Sequence, residues 1–397
     1  MSELKELYLG LCMSSVFVGV TEKPLFRYFG EYCSATEKDA KVRAYARFVA
    51  EIYKSGPSLT ELVSRLVFED ENVYIKARAH DITPDAAVEA ALGHELSCFS
   101  RFASLSPEVF RLDMGLDYVS PFPSHEVDLV KLYEERVREV HRLGYGIFSS
   151  HPMFRISDKS EILPIVSADK SSVKNFVGYE SERQRVIDNT LAFIEGRPAL
   201  NTLLCGDAGT GKSSTVKAVA NSFFDRGLRL IELRKDQLSL LPYVMGKVSE
   251  NPLKFIIFID DLAFNRSDDN FSMLKAALEG SASAKADNAI IYATSNRRHI
   301  IKESFADRDG SEVHINDTLQ ETLSLSERFG LVVLFQKPNK ALYLEIVHEL
   351  AKRYGITADT ATLDIEAEAF ALKRGNRSAR CAEQFIDTIR GKSRKEV

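Results

Sequence analysis

Apolar residues recur three and four positions apart through much of residues 1–143, the spacing that places them on one face of an α-helix. The pattern is most regular over residues 38–54, 84–102 and 124–143. Ser-Gly-Pro and Ser-Pro-Phe-Pro segments, which favour turns, separate these stretches. The pattern therefore predicts a mainly helical N-terminal domain over residues 1–143, with the aromatic stripe of residues 45–53 in its core.

Residues 144–174 show no regular period and are rich in Gly, Ser and Asp, which predicts a linker. In the next segment, residues 175–338, short apolar runs alternate with stretches of helical period. These runs are Leu228–Leu233, Phe255–Ile259, Ala289–Ala293 and Leu331–Phe335. Strands buried on both faces of a parallel sheet need apolar residues at nearly every position. The segment is therefore predicted to be a three-layer αβα domain of the α/β class with a parallel sheet.

The final segment, residues 339–397, returns to a helical period. The period is visible over residues 340–354, 363–373 and 378–390. This segment is therefore predicted to form a C-terminal helical lid.

The stretch from residue 201 to residue 221 predicts a specific ligand. It reads NTLLCGDAGTGKSSTVKAVAN, an apolar strand followed by a glycine-rich turn and a helix. The turn matches G-x-x-x-x-G-K-[ST], the pattern of a phosphate-binding loop, at every fixed position. Glycines let the backbone direct successive N–H groups at an anion, and the N-terminus of the next helix favours the same charge. The predicted nucleotide-binding residues of this loop are Gly206, Asp207, Ala208, Gly209, Thr210, Gly211, Lys212, Ser213 and Ser214.

Two acidic residues, Asp260 and Asp261, stand directly after the apolar run 255–259. Ligands of open α/β sheets bind at such C-terminal strand tips. In the loop, Lys212 is expected to reach the β- and γ-phosphates and Ser213 to give its hydroxyl to Mg²⁺. We expect Asp260 to hold the Mg²⁺ through water and Asp261 to orient and polarise the attacking water.

Two further residues extend this catalytic set. Asn296 follows the run 289–293 and is suited to bridge the γ-phosphate and the water. Arg328 lies just before the run 331–335, where an arginine is suited to reach the γ-phosphate of a neighbouring subunit and stabilise charge in the transition state. A surface salt bridge is the alternative role for Arg328.

Composition narrows the class of protein. The chain has 397 residues, 45% apolar and 27% charged, and a net charge of −5, which is typical of a soluble globular protein and argues against a surface built to hold polyanions. Five cysteines without C-x-x-C spacing predict neither a zinc site nor a disulfide framework, and a reducing cytoplasm is expected. No apolar run is long enough to span a membrane, and residues 7–20 are interpreted as a buried element rather than a signal peptide.

The motifs occur in the order that AAA+ ATPases show, namely GDAGTGKSS, FIDD, ATSN, SERFG and GNRSAR. Moreover, LKFIIFIDDLAF, IIYATSNRRHI and LSLSERFGL closely resemble a bacterial family of predicted AAA+ ATPases that is catalogued only as a domain of unknown function. The resemblance covers about residues 130–390 and is weaker before them.

The resemblance implies a role for each matching residue. Residues 206–213 resemble the Walker A motif, and Asp260 and Asp261 resemble Walker B. Asn296 resembles sensor 1, and Arg328 resembles the arginine finger.

The resemblance also covers the C-terminal lid and the segment that precedes the phosphate-binding loop. Arg380 resembles the sensor 2 arginine that reaches the nucleotide from the lid, with Arg377 as the alternative. Val177 and Gly178 resemble the segment that lies along the adenine. ATP and Mg²⁺ are the implied cofactors, and a ring or another nucleotide-dependent homo-oligomer is the implied active form.

The leading hypothesis is an ATP-hydrolysing AAA+ protein that couples its nucleotide state to the remodelling or loading of a macromolecular client. Many AAA+ proteins have Asp-Glu where this chain has Asp260-Asp261, so slow turnover is expected, and a nucleotide-gated switch with little hydrolysis is the alternative. A small-molecule kinase would leave Asn296 and Arg328 without a role, and the N-K-x-D motif of GTPases is missing. The basic tail 374–395 leaves DNA binding open, although a protein client is favoured over DNA.

Overall fold

The computed structural model describes residues 2–166, 176–262, 286–296 and 328–393, together with the single positions 274 and 278. The chain forms two compact units, an N-terminal unit that ends at Ser150 and a C-terminal unit that begins at His151. Each unit has a hydrophobic core of its own.

The N-terminal unit is helical, as its periodicity predicts. Its α-helices are α1 (Glu3–Cys12), α2 (Val18–Thr21), α3 (Pro24–Ser34), α4 (Lys38–Ser55), α5 (Leu59–Glu69), α6 (Val73–Ala79), α7 (Ala86–Ala103), α8 (Pro107–Met114), α9 (Leu129–Arg138) and α10 (Val140–Leu143). Local chemistry explains several of their starts. Proline occupies the first position of α3 and of α8, where its missing N–H costs nothing. The Ser58 hydroxyl caps α5 by accepting from the Glu61 N–H at 3.1 Å.

The core of the N-terminal unit is aromatic. The ring of Phe29 lies 4.8 Å from that of Phe102 and 6.2 Å from that of Phe48. Phe48 belongs to the stripe on α4 that the sequence assigns to the core, and it is buried. Tyr53, at the end of the same stripe, is 59% exposed, because one helical step turns it about 100° around the axis from the buried Ile52.

One buried carboxylate stabilises the entry into α2. Glu95 on α7 is only 2% exposed, and its two oxygens accept from the backbone N–H groups of Ser15, Val16 and Phe17 at 2.7 to 3.1 Å. These N–H groups precede the first turn of α2, where no helical carbonyl is available to them. The carboxylate therefore replaces the missing backbone acceptors.

Within the described residues, the C-terminal unit is built on a seven-stranded sheet. The strands are β1 (Met153–Ile156), β2 (Ile162–Pro164), β3 (Thr202–Gly206), β4 (Leu228–Leu233), β5 (Lys254–Ile259), β6 (Ala289–Ser295) and β7 (Leu331–Phe335). Their order in the sheet is β2-β1-β4-β5-β6-β3-β7. All neighbouring pairs are parallel except β1 and β2. The predicted α/β fold with a parallel sheet is confirmed.

Residues 153–164 extend the sheet, although the sequence pattern predicts a linker there. β1 pairs in parallel with β4, and β2 pairs antiparallel with β1. Phe154 on β1 is completely buried. Strands of four and three residues are too short to produce a recognisable period, which is why the pattern misses them. Residues 167–174 of the predicted linker lie outside the described residues.

Helices pack on the sheet and form a separate group at the C-terminus. Along the sheet lie α11 (Glu180–Ile194), α12 (Lys212–Ser222) and α13 (Leu241–Ser249). The C-terminal group, here called the lid, consists of α14 (Lys340–Arg353), α15 (Thr360–Arg374) and α16 (Ala379–Ser393). The lid has its own core, which includes Tyr343, Val347, Ala367 and Ile386. None of the helices in the described ranges is long and apolar enough to cross a membrane.

Replacing Glu95 by Ala is expected to lower the free energy of unfolding of the N-terminal unit by about 3 kcal/mol, since each buried donor left without an acceptor costs about 1–3 kcal/mol. Hydrogen–deuterium exchange of peptides that cover residues 14–21 measures the effect, and faster exchange is expected. Glu89→Ala, at an exposed position of the same helix, is the matched control. Equal exchange in both variants would contradict the assigned role of the carboxylate.

Candidate functional site: a phosphate-binding loop between two strand tips and the lid

The phosphate-binding loop lies at the C-terminal end of β3, between β6 and β7 in the sheet. Gly206 has a φ of +139°, and a Cβ built on it would lie 1.9 Å from the carbonyl oxygen of Phe335 on β7. Only glycine fits so close to a neighbouring strand. Gly209 and Gly211 have φ angles of +78° and +89°, so the chain turns twice before α12 begins at Lys212.

Hydrogen bonds within the loop fix its shape. The Thr210 hydroxyl donates to the Asp207 carbonyl at 2.9 Å, and the Thr215 hydroxyl donates to the Gly211 carbonyl at 2.8 Å. Thr210 is buried, whereas Asp207 and Ala208 are exposed. The Thr210 bond thus closes the loop on itself, and the Thr215 bond ties the end of the loop to the first turn of α12.

Lys212 lies at the centre of the site and is 5% exposed. Its Nζ donates to the carbonyls of Gly206 and Asp207 at 2.9 and 2.7 Å, and to Oδ1 of Asn296 at 3.0 Å. Burial lowers the pKa of the Lys212 ammonium group, and nearby acidic groups, Asp207 first among them, oppose that shift. The lysine thus connects the loop to the tip of β6.

Asp260 connects the loop helix to β5 and β6. Its Oδ1 accepts from the Ser213 hydroxyl at 2.6 Å, from the Thr294 hydroxyl at 2.5 Å and from the Asp261 N–H at 3.1 Å. Ser213 is the second residue of α12, and Thr294 is the last residue but one of β6. One carboxylate oxygen therefore holds together three elements that are distant in sequence.

Asp261 has a φ of +52°, a left-handed conformation that is uncommon for a residue other than glycine. Its N–H also donates to the Thr294 hydroxyl at 2.9 Å, and its carboxylate accepts from Nδ2 of Asn296 at 2.7 Å. Asn296 in turn accepts from Lys212. A continuous series of hydrogen bonds thus runs from the loop to both acids and back to the loop.

A cavity of about 280 Å³ lies over these groups. Its lining includes ten of the predicted site residues, namely Ala208, Gly209, Gly211, Lys212, Ser213, Ser214, Asp260, Asp261, Asn296 and Arg380. Gly206 and Asp207 line a neighbouring cavity that also reaches Asn296. Most residues that the motifs single out are therefore brought together.

Four residues line the main cavity without having been assigned a role from the sequence, namely Phe176, Thr294, Ala379 and Glu383. Sequence signals for them exist but are weak, since each lies within three positions of a predicted site residue. Glu383, for example, lies one helical turn after Arg380 on α16, so both side chains project from the same face.

The lid reaches the loop through the start of α16. The Arg380 N–H donates to the Gly209 carbonyl at 3.3 Å, and a Cβ built on Gly209 would lie 3.1 Å from the Ser378 hydroxyl. Arg377, the alternative sensor 2 residue, donates to the Glu368 carboxylate at 2.9 and 2.7 Å. Of the two arginines, only Arg380 lines the cavity.

Val177 and Gly178, the predicted adenine segment, pack against the lid and do not line the cavity. Gly178 has a φ of +71°, and a Cβ built on it would lie 2.6 Å from Cδ1 of Leu342 on α14. The preceding residue, Phe176, does line the cavity, and the guanidinium of Arg183 lies 5.7 Å from its ring centre. An aromatic ring thus borders the cavity next to the segment that the sequence predicts to lie along the adenine.

Arg328 is not near the cavity of its own chain. It precedes β7, which runs parallel to β3, with Leu331 opposite Thr202 and Phe335 opposite Gly206. The loop adjoins the C-terminal end of β7, whereas Arg328 adjoins its N-terminal end. A strand length of about 13 Å, at about 3.3 Å per residue, therefore separates Arg328 from the loop.

The donor set fits Mg²⁺ bound together with a nucleotide. The Ser213 hydroxyl and the Asp260 carboxylate supply oxygen atoms, the ligand type that Mg²⁺ prefers. Among the described residues, no group of three or more His, Cys, Asp or Glu is placed to hold a metal ion. An ion at this position would take its other ligands from water and phosphate, as Mg²⁺ commonly does.

Two arginines of the basic tail form ion pairs within the lid. Arg377 pairs with Glu368, and Arg390 pairs with Asp387 at 3.2 Å. Residues 394–397 lie outside the described residues. These pairs offer no support for a DNA-binding surface.

Gly206→Ala is expected to abolish nucleotide binding, because the added Cβ has to displace the Phe335 carbonyl and with it the edge of the loop. The measurement is titration with a fluorescent ATP analogue. Gly246→Ala, in helix α13 where a Cβ meets no atom within 4 Å, is the control and is expected to raise the unfolding free energy by up to about 1 kcal/mol. Native affinity in the Gly206 variant would show that the close approach is not required.

Comparison with known proteins identifies the family but not a well-characterised relative. No curated protein matches the chain. The solved structure of the Thermotoga maritima RuvB Holliday junction branch migration motor is 12% identical, with a TM-score of 0.34 over 56% of this chain and 72% of that chain. Two variants of that motor give TM-scores of 0.34 and 0.35 at 13% and 12% identity over the same shares. Scores this low support no inference about function.

The family comparison is more informative. The model of the family described as "Protein of unknown function (DUF815)" matches residues 149–393, which is more than half of the chain. The match covers the sheet, the phosphate-binding loop, both strand tips and the lid. The resemblance predicted from the motifs is therefore confirmed: the chain belongs to the DUF815 family, which is an AAA+ ATPase-like family.

Proposed function

We propose that the chain is an AAA+ ATPase that binds ATP with Mg²⁺ over the phosphate-binding loop and hydrolyses it to ADP and phosphate. One observation carries the proposal, namely the continuous hydrogen bonding of Lys212 and Ser213 with Asp260, Asp261 and Asn296. Phosphoryl transfer to water requires a cation, a metal site and a water-orienting group within a few ångströms of one another. These five residues supply all of them beside one cavity.

Each residue has a specific task in this mechanism. The backbone of residues 206–211 and the Lys212 ammonium hold the phosphates, and Ser213 and Asp260 hold Mg²⁺, which neutralises charge on the phosphates when bound. Asp261 orients the attacking water and accepts its proton. Nδ2 of Asn296 donates to the Asp261 carboxylate at 2.7 Å and so fixes its position, while Oδ1 of Asn296 accepts from Lys212.

Arg328 is proposed to act on the nucleotide of a neighbouring copy. Its place before the N-terminal end of β7 supports this, since the loop of its own chain adjoins the opposite end of that strand. Arg380, which lines the cavity from the lid, is proposed to contact the phosphates within the chain. Two arginines from opposite sides would then complete the charge around the γ-phosphate in a homo-oligomer.

Lid movement is proposed to couple the nucleotide to a macromolecular client. The Arg380 N–H donates to the Gly209 carbonyl, and the Ser378 hydroxyl lies close to Gly209, so a phosphate that rearranges the loop also moves the start of α16. A nucleotide-gated switch with little hydrolysis is the second candidate. The acid pair Asp260-Asp261 favours it, because the carboxylate of Asp261 is one CH₂ shorter than that of the Glu that many AAA+ proteins have at this position.

Asp261→Asn is expected to lower the steady-state ATPase rate at least about 100-fold, the usual effect of losing a general base. ATP affinity is expected to stay within about threefold, because the phosphate contacts remain. Lys212→Ala is expected to lose ATP binding itself. Phosphate release and analogue titration measure the two effects. Tight binding with negligible turnover in the native chain, unchanged by Asp261→Asn, would select the switch instead.

Mixing two inactive variants tests the role of Arg328. Arg328→Ala keeps a complete loop, and Lys212→Ala keeps the arginine. In an equal mixture, about a quarter of the subunit contacts join an intact loop to an intact Arg328, so mixed oligomers are expected to recover up to about a quarter of the native rate. Arg185→Ala is the control, since it also removes an arginine near β7: its guanidinium donates to the Val332 carbonyl of that strand at 3.1 Å. If Arg328→Ala alone retains the native rate, or the mixture recovers nothing, the proposed role is wrong.

A further inference from the structure

One hydroxyl group holds both acidic residues of the candidate site. Thr294 is 2% exposed and lies near the end of β6. Its Oγ1 donates to Oδ1 of Asp260 at 2.5 Å and accepts from the N–H of Asp261 at 2.9 Å. The same oxygen therefore fixes the carboxylate proposed to hold Mg²⁺ and the backbone of the residue proposed to orient water.

Thr294 also spans the turn that β5 makes as it leaves the sheet. Ile259 is the last residue of β5 and lies opposite Ala293, so Thr294 lies beside the first residue after the strand. The Thr294 carbonyl accepts from the Leu262 N–H at 2.7 Å. The side chain of Thr294 thus bonds to Asp260 and to the N–H of Asp261, and its backbone carbonyl bonds to Leu262, the residue that follows.

This turn needs such support because Asp261 has a left-handed backbone, with a φ of +52°. A residue with a Cβ is strained in that conformation, so neighbouring bonds have to maintain it. The conformation determines where the Asp261 carboxylate lies relative to that of Asp260. If the Thr294 hydroxyl is lost, the distance between the two carboxylates is no longer fixed.

We propose that Thr294 is a positioning residue for ATP hydrolysis, which sets the metal-holding carboxylate of Asp260 and the water-orienting carboxylate of Asp261 relative to each other. Although Thr294 borders the cavity, its hydroxyl is engaged by the two acids and acts through them. The inference rests on the proposed function and adds a residue to its mechanism.

Thr294→Val tests the inference, because valine keeps the shape of threonine but neither donates nor accepts a hydrogen bond. The turnover number is expected to fall about 10- to 100-fold and the Mg²⁺ concentration for half-maximal activity to rise about tenfold, the usual range for residues that orient metal ligands. Binding of a fluorescent ATP analogue in EDTA is expected to stay within about twofold, because the loop is unchanged. Thr294→Ser, which restores the hydroxyl, is expected to recover the native values within about threefold.

Thr202→Val is the matched control. Thr202 is a fully buried strand threonine at the start of β3, the end remote from the loop, and its hydroxyl donates to the Leu200 carbonyl at 3.1 Å. Thr202→Val, like Thr294→Val, removes one buried threonine hydroxyl from the sheet. A role that is merely structural would affect both variants alike.

A second measurement uses the chain without nucleotide or metal. Hydrogen–deuterium exchange at residues 259–262 is expected to be at least about tenfold faster in Thr294→Val, since the Asp261 amide loses the Thr294 hydroxyl as its acceptor, whereas the Leu262 amide keeps the Thr294 carbonyl. Thr202→Val and Thr294→Ser are expected to exchange at the native rate in this segment.

The outcomes separate the inference from the function on which it rests. Native turnover, Mg²⁺ dependence and exchange in Thr294→Val would overturn the inference and leave the proposed ATPase intact. Equal damage in Thr202→Val would overturn it as well. If the native chain binds Mg²⁺-ATP without hydrolysing it, the hydrolysis proposal fails, and the positioning role is then decided by exchange and by the Mg²⁺ dependence of binding.

Discussion

The carboxyl ends of β3, β5 and β6 meet at one edge of a parallel sheet, and every polar contact of the candidate site depends on that arrangement. Lys212 and Asn296 are 84 positions apart, and Ser213 and Asp260 are 47 apart, yet each pair lies within hydrogen-bond distance. Strand pairing brings them together. Because the strands themselves are buried by apolar residues, the hydrophobic burial that folds the sheet also positions the site.

The sequence predicts the parts of this unit in which one physical cause dominates. Continuous apolar runs predict β4 to β7, because burial on both faces leaves no room for polar residues. The glycine motif predicts the loop, since a close approach such as that of Gly206 to β7 excludes any Cβ. The apolar runs also place Asp260 and Asn296 at the tips of β5 and β6, and both residues follow those strands.

Other features depend on long-range pairing that a single sequence does not reveal. β1 and β2 are strands because β4 offers a free edge, not because their seven residues are strongly apolar. Glu95 reads as an ordinary helical surface residue until α2 is seen to need acceptors. Likewise, Phe176 rather than Val177 lines the cavity, because Val177 is drawn into the core of the lid. The contrast between Arg377, which pairs with Glu368, and Arg380, which lines the cavity, is likewise not visible in the sequence.

The hydrogen bonds of Lys212 have a further consequence for how a ligand enters. An ammonium group has three donors, and Gly206, Asp207 and Asn296 accept all three. An anionic oxygen that bonds to this lysine therefore has to displace an acceptor, and Asn296 is the one that belongs to a side chain. The same amide group also donates to Asp261. Ligand entry is thus an exchange of partners, in which the arrival of negative charge at the lysine changes what the carboxylate on the next strand is bonded to.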